Sequence, residues 1–395
     1  MKARTGSAAW WGPPRKFHEQ QHERRVSWLE LFYDLVYVIA ISRITHELAQ
    51  HISVDYFVGY AFLFILIFWG WLNGSMHHDM HGNEGLRTRL MTLWQMIIIA
   101  ALAVVIGQSP GKGYFNITMV LMIMQLFITY MWWSVGFYDK SHRKYNKPYT
   151  IFYLIAFALM GLSLLLSGKW LKLIVPVVIL CNYAPPFVAH MMLGGNLAEL
   201  KLSSSMFERL GLFAIIIFGE VVLGVVNGIS KIGELDFTAW VNFALAIAIV
   251  FTLWWIFFTL VAQMEVKSGF INATLLELLY IPALISLSLI AVSFTSFFEI
   301  HHEIPLQKLG YAVATYLTSI SLMMGLLVFH ERLPGLKRSV SISLLVTASL
   351  FFISTQIHLP FSRQFYLAGV LVILVLEIIY LNVLYYRMRN KGERL

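Results

Sequence analysis

Long apolar runs broken by short polar segments repeat along the whole chain. They lie near residues 29–49, 56–75, 90–107, 114–137, 149–167, 170–192, 207–226, 237–264, 273–298, 309–329, 340–357 and 365–386. A helix needs about 20 predominantly apolar residues to cross a hydrocarbon core of ~30 Å, and each run is close to that length. The pattern predicts an all-α polytopic membrane protein of about twelve transmembrane helices. It divides the chain into a tail at 1–27, six helices over 28–192, a linker at 193–205, six helices over 206–386 and a second tail at 387–395.

Composition agrees, with 58% hydrophobic and only 13% charged residues, against about a quarter charged in soluble proteins. Residues 1–25 hold no long apolar run, so the reading expects no cleaved signal peptide and an internal first span. The net charge of +8 is distributed unevenly. In a twelve-span arrangement Lys112, Lys169, Lys172, Lys231, Lys308 and Arg363 fall on one side and Arg43 lies inside the first span; the rest of the 29 Lys and Arg fall on the side shared by both termini. Basic residues accumulate on the cytoplasmic side. The expected location is therefore the cell (inner) membrane, with both basic tails cytoplasmic. The basic excess reflects topology, and no nucleic-acid partner is expected.

The two halves echo each other. A shift of 178 residues lays Trp28-Leu29-Glu30 over Met206-Phe207-Glu208, and each half then contributes six spans. An even number of spans gives both halves the same orientation, so the expected architecture is two six-helix repeats in parallel orientation.

The first span carries the most unusual chemistry. In WLELFYDLVYVIAISRI, Glu30 and Asp34 stand four residues apart on one helix face. Two carboxylates in a low dielectric do not both stay ionised without a cation or a basic partner between them. One reading is a cation or proton site. The other is a structural ion pair, with Arg24, Arg25 or Arg209 as the base and Glu208 beside it. Arg43 and Glu47, again four apart, are candidates for a second structural ion pair further along the helix, next to His46. Glu220 lies on the order of 18 Å beyond Glu208 at 1.5 Å per residue, near the middle of its span. An acid at that depth points to translocation or proton relay, and its bland reading is a neutral packing group among Gly219, Gly224 and Gly228. Glu377, alone in the last span, is a weaker pointer of the same kind. In the sixth span Pro185 and Pro186 follow Cys181, Asn182 and Tyr183 and predict a broken helix.

The segments LELFYDLVYVIAI and FERLGLFAIIIFGEVVLGV (Phe207 to Val225), with the stretch from Arg89 to Met96, resemble the signatures of the bacterial low temperature requirement protein A (LtrA) family. That resemblance covers most of the chain and implies a membrane function tied to growth in the cold, a stress response, without defining a reaction. The chain departs from the family pattern at Ser205, where a His is common, and at Thr259, where an acid often follows the paired tryptophans Trp254 and Trp255. Leu29, Glu30, Phe32 and Asp34 are also similar, over one helix, to the run that opens a six-span repeat in the lysosomal and bacterial potassium channels whose first helix carries a Phe-Ser-Asp motif. Here Tyr33 replaces the Ser and Trp28 stands where those channels place an Arg, so the likeness concerns architecture alone.

Two histidine groups raise a metal question. His77, His78, Asp79 and His81 with Glu84, and Glu299, His301, His302 and Glu303, match no specific ligand spacing. They are weak candidates that chance clustering explains as well, as does a pH-responsive rim. The chain has one cysteine, Cys181, which rules out an internal disulfide. It carries no Walker A loop, Gly-x-Ser-x-Gly elbow or His-Glu-x-x-His. The expectation is a non-enzyme without a cofactor, surrounded by the lipid bilayer and open to homo-oligomerisation, that acts as a transporter or channel for a cation, proton or small solute. A non-transporting envelope-homeostasis protein and a membrane-embedded enzyme acting on lipid are the alternatives.

Overall fold

The computed structural model describes residues 26–82, 85–108, 110–140, 143–166, 169–192, 202–232, 235–262, 264–297, 306–328, 335–356 and 362–392. The helices among them are α1 (Trp28–Gln50), α2 (Val54–His81), α3 (Leu86–Val105), α4 (Pro110–Tyr138), α5 (Arg143–Ser163), α6 (Lys169–Tyr183) and α7 (Pro185–Met192). They continue with α8 (Ser204–Ser230), α9 (Phe237–Phe257), α10 (Phe270–Phe297), α11 (Leu306–Leu326), α12 (Leu336–Gln356) and α13 (Arg363–Gly392). Every predicted apolar stretch falls on a helix, the sixth on the pair α6 and α7. Among the described residues nine helices are long and apolar enough to cross a membrane, or ten with α6 and α7 taken as one bent span. The protein is thus an all-α, multi-pass membrane protein. Length and apolarity alone do not reach twelve, for reasons visible in the sequence. Helix α1 carries Glu30, Asp34, Arg43 and Glu47, and α5 opens on Arg143, Lys144, Asn146 and Lys147. Arg24, Arg25, Glu84, Glu299, His301, His302, Glu303 and most of the predicted linker lie outside the described residues.

The chain forms two compact units, one of residues 1–47 and 53–209, the other of 48–52 and 210–395. In the first unit α4 packs along α5, and α5 also meets α6 and α7. Helix α2 is enclosed, with Phe64, Leu66, Ile67, Phe68, Trp69 and Trp71 all nearly inaccessible. Ser53 caps it by accepting from the Tyr56 amide at 3.3 Å. Trp69, Asn73, His77 and His81, spaced by four, put a polar stripe on its buried face. Asn73 Oδ1 accepts from Trp132 Nε1 (3.0 Å) and Tyr153 Oη (2.6 Å).

The predicted break falls at Ala184, where α6 and α7 bend by 45°. Pro185 is the first residue of α7, where the missing N–H is no loss. Pro186 cannot donate to the carbonyl of Asn182, and Trp69 Nε1 supplies that bond instead at 2.8 Å. A freed carbonyl in a membrane needs such a partner.

In the second unit α11 packs along both α10 and α12, and α13 lies on α9 and α12. Gly224 of α8 lets the backbone of α10 approach: a Cβ added there would stand 2.7 Å from the Ala291 carbonyl oxygen. A turn of π-helix, Phe258–Ala262, ends the α9 span. A short antiparallel ribbon pairs Glu265 with Val328 and Val266 with Leu327.

Side chains follow the pattern of a protein in lipid. Phe365, Val372, Leu376, Ile379 and Tyr380 are exposed along α13, while Gln125, Asn182 and Arg209 are buried. An apolar surface on this scale is untenable in water.

Candidate functional site

Helix α1 buries one stripe, Glu30, Tyr33, Asp34, Tyr37, Val38, Ile41 and Ile44, and exposes Phe32, Leu35 and Ile39. Its acids therefore face inward because they share the period of the packing face. Glu30 also starts the helix: the Ser27 amide donates to its Oε2 at 2.8 Å, and the Glu30 amide donates to Ser27 Oγ at 3.3 Å. This reciprocal capping box was readable in the order Ser27-Trp28-Leu29-Glu30, and the sequence reading missed it.

Arg209, the last residue of the first unit, is the base that the acids meet. Its NH2 donates to Asp34 Oδ1 at 2.5 Å, its Nε to Asp34 Oδ2 at 3.4 Å, and its NH1 to Glu30 Oε1 at 3.3 Å. The second Asp34 partner is Trp71 Nε1, at 2.7 Å from Oδ1. The Arg209 guanidinium lies over the rings of Tyr33 and Trp71, 5.7 and 5.8 Å from their centroids. All three charged side chains are 1–2% exposed or less. His78 Nε2 stands 3.8 Å from Glu30 Oε1. Nothing in the sequence marks Trp71 or His78 as partners of α1, since their pairing depends on the register between two helices.

Beside this cluster is a cavity of about 20 Å³, lined by Glu30, His77, His78, His81, Arg87 and Arg209 among others. That is room for about one water molecule. Tyr33 Oη crosses one wall and donates to Gln95 Oε1 at 2.8 Å. A Cβ on Gly74 would overlap both that hydroxyl and that amide oxygen, so a larger residue there would have to displace the Tyr33–Gln95 hydrogen bond where α2 passes α1 and α3. Arg87 NH2 donates to Ser134 Oγ at 3.0 Å, and its charge lies 5.6 Å over the Tyr138 ring.

Of the remaining candidates, His77 and His81 line that cavity, while Glu208, Arg43 and Glu47 do not. Glu208 is exposed and joins no ion pair among the described residues. Arg43 and Glu47 pair at 3.9 Å on the partly exposed far end of α1. Glu220 is half-buried in the second unit. His77 and His81 make T-shaped ring contacts with Trp132, at 6.1 and 6.4 Å between centroids. Among the described residues no three His, Cys, Asp or Glu side chains converge as metal ligands.

The protein family described as "Bacterial low temperature requirement A protein (LtrA)" matches residues 25–378 of this chain. No curated protein and no solved structure matches it.

Proposed function

The chain belongs to the bacterial LtrA family, and from that premise we propose that it moves a proton or small cation across the membrane through the Glu30, Asp34 and Arg209 cluster. One observation carries the reading. Two buried carboxylates meet at the Arg209 guanidinium, with His78 3.8 Å from Glu30 and a cavity with room for about one water beside them, an arrangement of acids, bases and water in which a proton or a small cation can exchange. Burying charge is costly unless it is paired, so the cluster favours states in which a proton or cation offsets its acids.

The same proposal includes twelve spans, with α1 crossing because Arg209 offsets its acids, and two parallel six-helix repeats. It places both termini in the cytoplasm of a cell whose inner membrane holds the protein, and growth at low temperature depends on the transport. Purified protein in liposomes should carry protons or alkali cations faster than protein-free liposomes, at a rate that changes between about pH 5 and 8. Rates equal to those of empty liposomes at every pH would reject transport.

A second reading, a static latch in a non-transporting membrane protein, is favoured by the saturation of the acids. Glu30 is held by Ser27 and Arg209, and both Asp34 oxygens are held by Arg209.

A further inference from the structure

We propose that Glu377, Ser343 and Thr347 form a second ion site, within the second unit, where an alkali cation exchanges with a proton. Glu377 is 5% exposed and lies near the middle of the span Arg363–Arg387. Ser343 Oγ and Thr347 Oγ1, one turn apart on α12, both donate to its Oε2 at 2.8 Å. Its Oε1 is buried with no hydrogen-bond partner among the described residues.

Neither protonation state of Glu377 satisfies that arrangement unaided. Ionised, the carboxylate leaves Oε1 without a donor; protonated at Oε1, it holds a hydroxyl without an acceptor.

Among the described residues, the helices that pack most on α13, α9 and α12, offer no compensating charge at that level. Helix α9, packed on α13, contains no Asp, Glu, Lys, Arg or His between Phe237 and Phe257. Helix α12 supplies Ser343 and Thr347 at that level, and its basic residues sit at its first turn. There Lys337 Nζ donates to the Gly325 and Leu327 carbonyls, and Arg338 is exposed. On α13 itself Arg363 and Arg387 are about 21 and 15 Å away along the axis at 1.5 Å per residue. Whatever neutralises Glu377 therefore comes from outside these helices. A carboxylate with two hydroxyls is an all-oxygen donor set suited to a hard cation. The hydroxyls can turn their lone pairs to a cation when the proton leaves, because each is both donor and acceptor. This site stands whether or not the Glu30 cluster conducts.

The test is carbodiimide labelling of full-length protein in lipid nanodiscs. Dicyclohexylcarbodiimide modifies protonated carboxyls in apolar surroundings, and peptide mass spectrometry locates the adduct. We expect an adduct on Glu377 that declines with rising pH and drops several-fold in NaCl, LiCl or KCl relative to equal choline chloride. Thr347→Val should keep the adduct and weaken the protection by salt. Absence of an adduct on Glu377 in protein whose denatured form is labelled there would overturn the proposal, as would an adduct that no alkali cation diminishes. Because no flux is measured, the result is independent of the transport assay.

Discussion

Replacing Arg209 by Met removes a base that holds two buried acids while keeping much of its volume. The substitution deletes the contacts to Asp34 at 2.5 and 3.4 Å and to Glu30 at 3.3 Å, and leaves Asp34 with Trp71 Nε1 at 2.7 Å as its remaining hydrogen-bond partner among the described residues. Taking one partner from a buried pair costs ~3–5 kcal/mol, because the surviving charge is stranded. At ~2–4 °C per kcal/mol for a unit of this size, the first unit should melt roughly 6 to 20 °C earlier. Cys181 is a built-in reporter: it is the chain's single cysteine and is 7% exposed on α6 of that unit. A thiol-reactive fluorophore during a thermal ramp therefore reads the opening directly. Arg209→Lys should fall between the two, since an ammonium keeps the charge and loses the fork. The triple change Arg209→Met, Asp34→Leu, Glu30→Gln should recover most of the loss, because no carboxylate is left unpaired and Gln can still serve the capping box. Melting of Arg209→Met within about 2 °C of wild type, the shift expected from less than ~1 kcal/mol, would refute the claim that this pairing holds α1 in place.

Gly74→Ala should destabilise the first unit by ~1–3 kcal/mol through the overlap with Tyr33 and Gln95, read by earlier Cys181 labelling; unchanged labelling would show that α1 or α3 yields without cost. Glu220→Gln should fold normally and lose the pH-dependent part of flux, with Glu220→Asp retaining some of it. Wild-type flux in Glu220→Gln removes that residue from the mechanism. On topology, a cysteine placed at Lys112 or Lys231 in a Cys181→Ala background should label from outside intact cells. Labelling only after permeabilisation would reverse the orientation.

The helices were legible in the sequence because a span in lipid is a local property, readable from some 20 consecutive residues. The break at Ala184 was legible for the same reason, since two adjacent prolines remove backbone donors wherever they occur. The inward face of α1 could be read from the four-residue spacing of Glu30 and Asp34. Among the bases considered for them, Arg209 is the one among the described residues that meets them. The double duty of Glu30 was overlooked, although a Ser three residues before a Glu at a helix start is a local signal. Trp71 as a donor to Asp34, Trp69 as the partner of the Asn182 carbonyl, and Ser343 with Thr347 around Glu377 were not readable. Each depends on which turn of one helix meets which turn of another, and packing over the whole unit sets that register. Glu277, buried in α10, also escaped notice, because an apolar run containing one acid resembles many others.

The most direct test of the central claim is flux per folded molecule for Asp34→Asn in liposomes, with Cys181 protection as the measure of folding. Asn keeps the shape and one carbonyl acceptor for Arg209 but removes the negative charge that a proton or cation would have to balance. If the cluster is the transport site, Asp34→Asn protein with Cys181 still protected loses the pH-dependent flux of the wild type. Wild-type flux per folded molecule, with the only deficit in yield, would contradict the account and leave the acids as a latch.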